Sequence, residues 1–230
     1  MARWDILAGV TAALLSGAAS AEPMIWGIQI DQLEYRLGES DFLSWEGEAL
    51  VGSDELKLFL GSEADFSTEE DAFETLESQL RIQTPISDFF DITGGVRIDT
   101  PEGPDRVYGM IGVRGLAPQW LEIEADLFVS DEALARVEVE YEALITNYLI
   151  LTPTIEIDLP LTDDREIGLG AWGPKVEAGA RLSYDLIDRA VAPYAGIHYE
   201  RAFGETAGLA RARGENDDSL LFVAGVRLMY

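Results

Sequence analysis

Glu122, Glu124 and Asp126 recur at every second residue. So do Glu138, Glu140 and Glu142 in the next segment, and Glu156 and Asp158 in the one after. Successive side chains of a β-strand point to opposite faces, so each set shares one face. Like charges directly opposite one another on paired strands repel. Such a face needs protons, arginine partners, water or bound cations. Arg97, Arg114, Arg136, Arg181 and Arg227 fall on the same side by the same alternation. Two readings stay open: an internal salt-bridge network and a cation-attracting surface. Carboxylates alone prefer hard cations.

His198 is the single histidine, and Glu200, Met110 and Met229 share its phase. Imidazole, thioether and carboxylate together could bind a transition metal, whereas a lone histidine among polar groups also serves as a hydrogen-bonded filler. The candidate metal ligands are His198, Glu200, Met110, Glu122, Glu124, Glu138 and Glu140. No ligand set has zinc-type spacing, and there is no cysteine. Ser183 also has the phase of His198 and Glu200, the composition of a serine hydrolase acting on lipid esters. No local motif accompanies these three, and an acyl hydrolase would need its site open to lipid. The expectation is a protein without catalysis.

The elements that carry these side chains alternate almost throughout. In Ser219–Tyr230 every even position from Leu220 onward is apolar, ending on an aromatic carboxy terminus. Leu121, Ile123, Ala125, Leu127 and Val129 oppose the first carboxylate set. Val137, Val139 and Tyr141 oppose the second, and Ile155 and Ile157 the third. About a dozen such segments follow one another, the first with a phase shift near Asp31 that marks a bulge. The second, fourth, sixth, eighth and tenth connections are short, while the two longest, Pro160–Gly173 and Ala202–Asp218, are the ninth and eleventh. A soluble β-sandwich also alternates, but it has no reason to sort its connections by parity. The pattern predicts an all-β fold: a transmembrane antiparallel up-and-down β-barrel of about 12 strands with a polar, side-chain-filled lumen. Tyr and Trp near strand ends (Trp26, Tyr35, Trp45, Trp120, Tyr148, Trp172, Tyr184 and Tyr230) fit interfacial girdles.

Arg3, the apolar stretch Ile6–Leu15 and Ala19-Ser20-Ala21 read as a secretory signal peptide over residues 1–21, leaving 22–230 for the barrel. No later apolar run is long enough for a spanning helix. The net charge is −27. That balance leaves no basic face for nucleic acid. The expected location is a bacterial outer membrane, with its lipid as the surrounding partner.

Several blocks recur in a recognisable order: Gln32-Leu33-Glu34-Tyr35-Arg36, Gly95-Val96-Arg97-Ile98-Asp99, Gly103-Pro104-Asp105-Arg106 and Gly115-Leu116-Ala117-Pro118-Gln119-Trp120. Glu138-Val139-Glu140-Tyr141-Glu142, Leu149-Ile150-Leu151-Thr152-Pro153, Ala192-Pro193-Tyr194, Phe203-Gly204-Glu205-Thr206-Ala207 and Val223-Ala224-Gly225-Val226-Arg227 complete them. In order and spacing the chain resembles the copper resistance protein B family of bacterial outer-membrane proteins, over nearly all of its mature length. The resemblance implies a role in copper homeostasis, copper ions as ligand and periplasmic copper-handling proteins as partners. Many members carry a Met- and His-rich segment before the barrel; here only Glu22-Pro23-Met24 separates the cleavage site from the first strand. A structural or narrow-channel barrel without a metal role is the alternative.

Overall fold

The computed structural model describes residues 23–38, 40–100, 105–187 and 189–230. The signal peptide expected over 1–21 lies outside these residues, as do Gly103 and Pro104. Twelve strands form one sheet: β1 (Ile25–Leu37), β2 (Phe42–Gly52), β3 (Lys57–Ser67), β4 (Ala72–Pro85), β5 (Phe90–Thr100) and β6 (Arg106–Ala117), then β7 (Leu121–Val129), β8 (Ala133–Tyr141, resumed by Ala143–Leu144), β9 (Leu149–Pro160), β10 (Lys175–Tyr184), β11 (Val191–Ala202) and β12 (Asp218–Met229). Each pairs antiparallel with the next, and β12 pairs with β1, so the sheet closes on itself. Tyr230 completes the seam: its carbonyl accepts from Ile28 N–H at 3.0 Å and its N–H donates to Ile28 O at 2.9 Å. Closure satisfies every strand edge, which a bilayer demands because hydrocarbon offers no hydrogen-bond partner.

The two-residue period sorts the side chains as expected. Leu220 and Phe222 are exposed on the outer wall, whereas Leu221 and Val223, which alternate with them, are buried. Leu80, Ile82, Ile111, Ile155 and Ile197 face outward in the same way. The register of β1 slips after Ile30 against both neighbours. This is the bulge near Asp31, and it places Gln29, Asp31 and Gln32 all on the lumen side. Aromatic side chains ring the end that holds the chain terminus. Trp26 packs on Tyr230 with centroids 5.4 Å apart, and Tyr148 stacks on Tyr184 at 6.2 Å. Trp120 joins them from a turn in which Gln119 and Trp120 both take positive φ. Amphipathic rings gather where the apolar slab meets water.

Among the fully described connections, the parity of length rests on two loops. Residues 161–174 and 203–217 are long, but 68–71 and 130–132 at the same end are hairpins as tight as the turns at the opposite end. The two long loops pack together. The second contains α1 (Gly204–Arg213), whose buried Thr206 hydroxyl accepts from Gly170 N–H at 3.1 Å and donates to Gly173 O at 2.5 Å. A Cβ on Gly173 would lie 2.6 Å from Thr206 N, so only glycine permits this approach. Arg106 at the start of β6 anchors the cap, donating Nε to Asp164 Oδ2 at 2.8 Å and a terminal nitrogen to Oδ1 at 2.9 Å. That bond from Arg106 holds the Asp164 carboxyl below the ordinary aspartate range. A depressed carboxyl stabilises the folded loop above the unfolded value, about 3.9, and loses that contribution as pH falls through the folded value. Limited proteolysis within 161–174 is therefore expected to accelerate several-fold in Arg106→Ala at neutral pH. Below about pH 4 the native protein should approach the same rate. Equal cleavage rates for both proteins at neutral pH would remove the latch.

Candidate metal site in the barrel lumen

The strand registers line up the inward carboxylates more completely than alternation alone requires. Glu124 stands opposite Glu138, Glu138 opposite Glu156, Glu156 opposite Glu177, and Glu177 opposite Glu200. One row of glutamates thus crosses β7 to β11. Two residues nearer the loop end runs a row of alternating sign: Asp126 opposite Arg136, Arg136 opposite Asp158, Asp158 opposite Lys175. On the other wall Glu46, Glu63 and Glu77 are likewise consecutive partners. Except for Asp158, Lys175 and Glu200, these groups line a cavity of about 480 Å³.

Arginines answer much of this charge. Arg136 reaches Asp158 at 2.8 Å, Glu156 at 3.1 Å, Glu77 at 3.3 Å and Glu63 at 3.5 Å. Arg81 pairs with Glu48, Arg97 with Glu77, and Arg114 with Glu124. Arg227 meets Glu142 at 2.7 Å. The tightest cluster centres on Glu34, which is 1 % exposed. It accepts two bonds from Arg181 (2.9 and 2.8 Å), one from Arg36 (2.8 Å) and one from the Tyr194 hydroxyl (2.9 Å). A Cβ on Gly225, opposite Glu34, would lie 2.6 Å from Glu34 Cβ, so the bare glycine makes room for the cluster. Among the described residues Glu122, Glu138 and Glu140 have no ion pair or hydrogen bond. The internal salt-bridge network is therefore real, and it is incomplete.

One histidine lies beside this unfinished network. His198 is 5 % exposed, and its Nε2 sits 3.3 Å from Glu177 Oε2 without hydrogen-bond geometry. That nitrogen has no hydrogen-bond partner among the described residues. One donor atom each from Glu177, His198 and Glu200 lies within 4.8 Å of the others. Leaving a buried imidazole nitrogen unpaired costs about 1–3 kcal/mol, so an unpaired one aimed at carboxylates is poised to take a ligand. Imidazole with carboxylate oxygens suits Cu(II) better than Cu(I), which prefers thioether or thiolate.

The remaining candidates divide. Glu122, Glu124, Glu138 and Glu140 line the cavity but do not join the three-residue cluster with His198. Met110 faces inward as its phase requires, yet it packs with Tyr108, Phe128 and Leu134 in a buried apolar plug. Met229 lies at the strand end, 44 % exposed. Neither thioether belongs to the histidine cluster. Glu177 was visible in the sequence only as an inward residue of its strand. Its role depends on β10–β11 register, which places it opposite Glu200 and Gly179 opposite His198. The same register separates Ser183 from His198 by four residues along the strand, about 13 Å. Ser183 donates instead to Ile150 O at 3.4 Å. The nucleophile–base pair that phase alone allowed does not form.

The family model for copper resistance protein B precursor matches residues 24–230. The chain belongs to the copper resistance protein B family. Copper resistance protein B of Escherichia coli is 34 % identical over 206 residues, covering 88 % of this chain and 69 % of that protein. The copper resistance protein B homolog of Pseudomonas syringae pv. tomato is 32 % identical over 203 residues, covering 87 % and 68 %. Among solved structures the NanC porin superposes with a TM-score of 0.53 at 11 % identity, covering 89 % of this chain and 99 % of its own. A membrane protein crystallised in meso gives 0.51 at 14 % identity, covering 90 % and 83 %. At such identities the likeness speaks for the outer-membrane barrel fold alone. The family blocks fall on structural positions: Glu34 and Arg36 form the buried cluster, and Thr206 ties the two loops together.

Proposed function

We propose that this copper resistance B barrel serves copper homeostasis in the outer membrane, without catalysis, by holding Cu(II) weakly at Glu177, His198 and Glu200. The observation that carries this reading is the buried, unpartnered Nε2 of His198 facing two carboxylates. Copper is the substrate. The glutamate row concentrates cations in the lumen, because a cleft lined by one sign of charge raises the local concentration of the opposite sign. The cavity leads toward the aromatic-ringed end, where periplasmic copper-handling proteins would deliver or collect the ion. The apolar plug and the packed long loops narrow the other end, which favours holding over free diffusion. Glu122, Glu138 and Glu140 act as outer collectors.

Cu(II) titration of the detergent-purified barrel should give saturable binding that His198→Ala weakens by about tenfold or more, a loss of about 1.4 kcal/mol or more. Binding unaffected by His198→Ala would leave the barrel a structural one, its polar interior no more than an ion-pair filling.

A further inference from the structure

Lys175 already occupies the charge position that a metal would take. Its Nζ lies 3.0 Å from Glu177 Oε1 and 3.0 Å from Glu200 Oε2, bridging the two carboxylates that flank His198. The bases of this chain are nearly all arginine, so a lysine here is itself distinctive. An ammonium is a compact charge on a flexible stem, whereas a guanidinium holds carboxylates in a fixed fork. Lys175 opens β10 at the loop end, and its side chain is 40 % exposed, while that of His198 is 7 % exposed. Glu177 and His198 line the cavity; Lys175 and Glu200 are not among its lining groups. The ammonium therefore covers the site from the loop side, where its side chain is part exposed.

We propose that Lys175 is a tethered cation that competes with the metal for Glu177 and Glu200, so that the site exchanges its ion readily instead of trapping it. This rests on the copper reading above. In the metal-free barrel the lysine neutralises part of the carboxylate pair, which would otherwise repel across the strands. A divalent ion brings twice the charge and gains the His198 Nε2, to which the ammonium makes no hydrogen bond. Entry of the ion releases Lys175 toward the loop end, and return of Lys175 helps expel the ion. Affinity is thereby set by a competition inside the protein, and no bond is made or broken in the chain.

Removal of the competitor should tighten binding. Titrating Cu(II) into the purified full-length barrel, Lys175→Met is expected to bind at least about tenfold more tightly than the native protein. Lys175→Arg, which keeps a cation at the position and holds the carboxylates in a fixed fork, is expected to give no tightening. Dissociation to an excess chelator should slow in Lys175→Met by a similar factor, because affinity changes of this kind appear mainly in the off-rate. Heat-modifiable migration on gels confirms that each variant is folded. Unchanged affinity in Lys175→Met, with binding still lost in His198→Ala, overturns the competition and leaves the copper site standing. Absence of His198-dependent binding in all the proteins overturns both. If Lys175→Met does not fold, Lys175→Gln takes its place with the same expected direction.

Discussion

Arg181→Met is expected to destabilise the barrel by about 3–5 kcal/mol, because removing one partner of a buried ion pair leaves the other charged and unpaired. Glu34 has almost no solvent access and depends on Arg181 for two of its hydrogen bonds. The remaining donors, Arg36 and the Tyr194 hydroxyl, are already committed to it. Arg181 also donates to Gln32 at 2.5 Å, so the loss reaches the bulge of β1. The cluster joins β1, β10 and β11 across the lumen near the seam at which the barrel closes. Urea-driven unfolding in lipid vesicles measures the effect. A paired change that removes both charges, Glu34→Gln with Arg181→Met, should recover part of the loss, since no carboxylate is then stranded. A single variant as stable as the native protein would mean that water, and not Arg181, carries Glu34.

Ile111→Arg is the second large effect, at about 2–4 kcal/mol in a bilayer. Ile111 lies near the middle of β6, 55 % exposed on the outer wall, with Leu127 as its neighbour on β7. A guanidinium there faces hydrocarbon. Gly112→Arg, one residue on, would direct the same charge into the lumen, but a Cβ at Gly112 would collide with Asp126, so it is a poor control. Thr93→Arg is better: Thr93 is an inward residue whose hydroxyl approaches Asp126 at 3.5 Å. Folding yield into vesicles should fall for Ile111→Arg and suffer less for Thr93→Arg. The reverse order would place the oily face inside.

Much of this molecule could be read from one period. Alternation fixes which face of each strand is wet, and the phase shift at Asp31 betrays the bulge before any coordinates. What alternation cannot give is height along the barrel. Met110 and His198 are both inward, but Met110 sits in the apolar plug, while His198 sits beside Glu177. Ser183 and His198 share a face and neighbouring strands, and register alone keeps them apart. Register depends on where each turn begins, and a slip of two residues leaves the inward and outward sets unchanged. Glu34 was hidden for a related reason. The bulge breaks the count just before it, so its inward position and its four donors emerge only from the pairing of β1 with both neighbours.

The wall of glutamates also explains why so much arginine is needed in an acidic chain. Arg136 alone answers carboxylates from β3, β4 and β9. Glu122, Glu138 and Glu140, without ion pair or hydrogen bond among the described residues, lie on β7 and β8, on the wall whose glutamate row runs on to Glu177 and Glu200. Charge left uncancelled there attracts cations without fixing which one. In the proposed copper site, selectivity would come from the imidazole nitrogen.

The most direct test of that assignment is electron paramagnetic resonance of the purified barrel loaded with less than one equivalent of Cu(II). The expected spectrum shows coupling to a single imidazole nitrogen with oxygen donors otherwise, and that nitrogen signature disappears in His198→Ala. A spectrum with several nitrogens, or one that His198→Ala leaves unchanged, would place the copper elsewhere and contradict a lumenal site built on Glu177, His198 and Glu200.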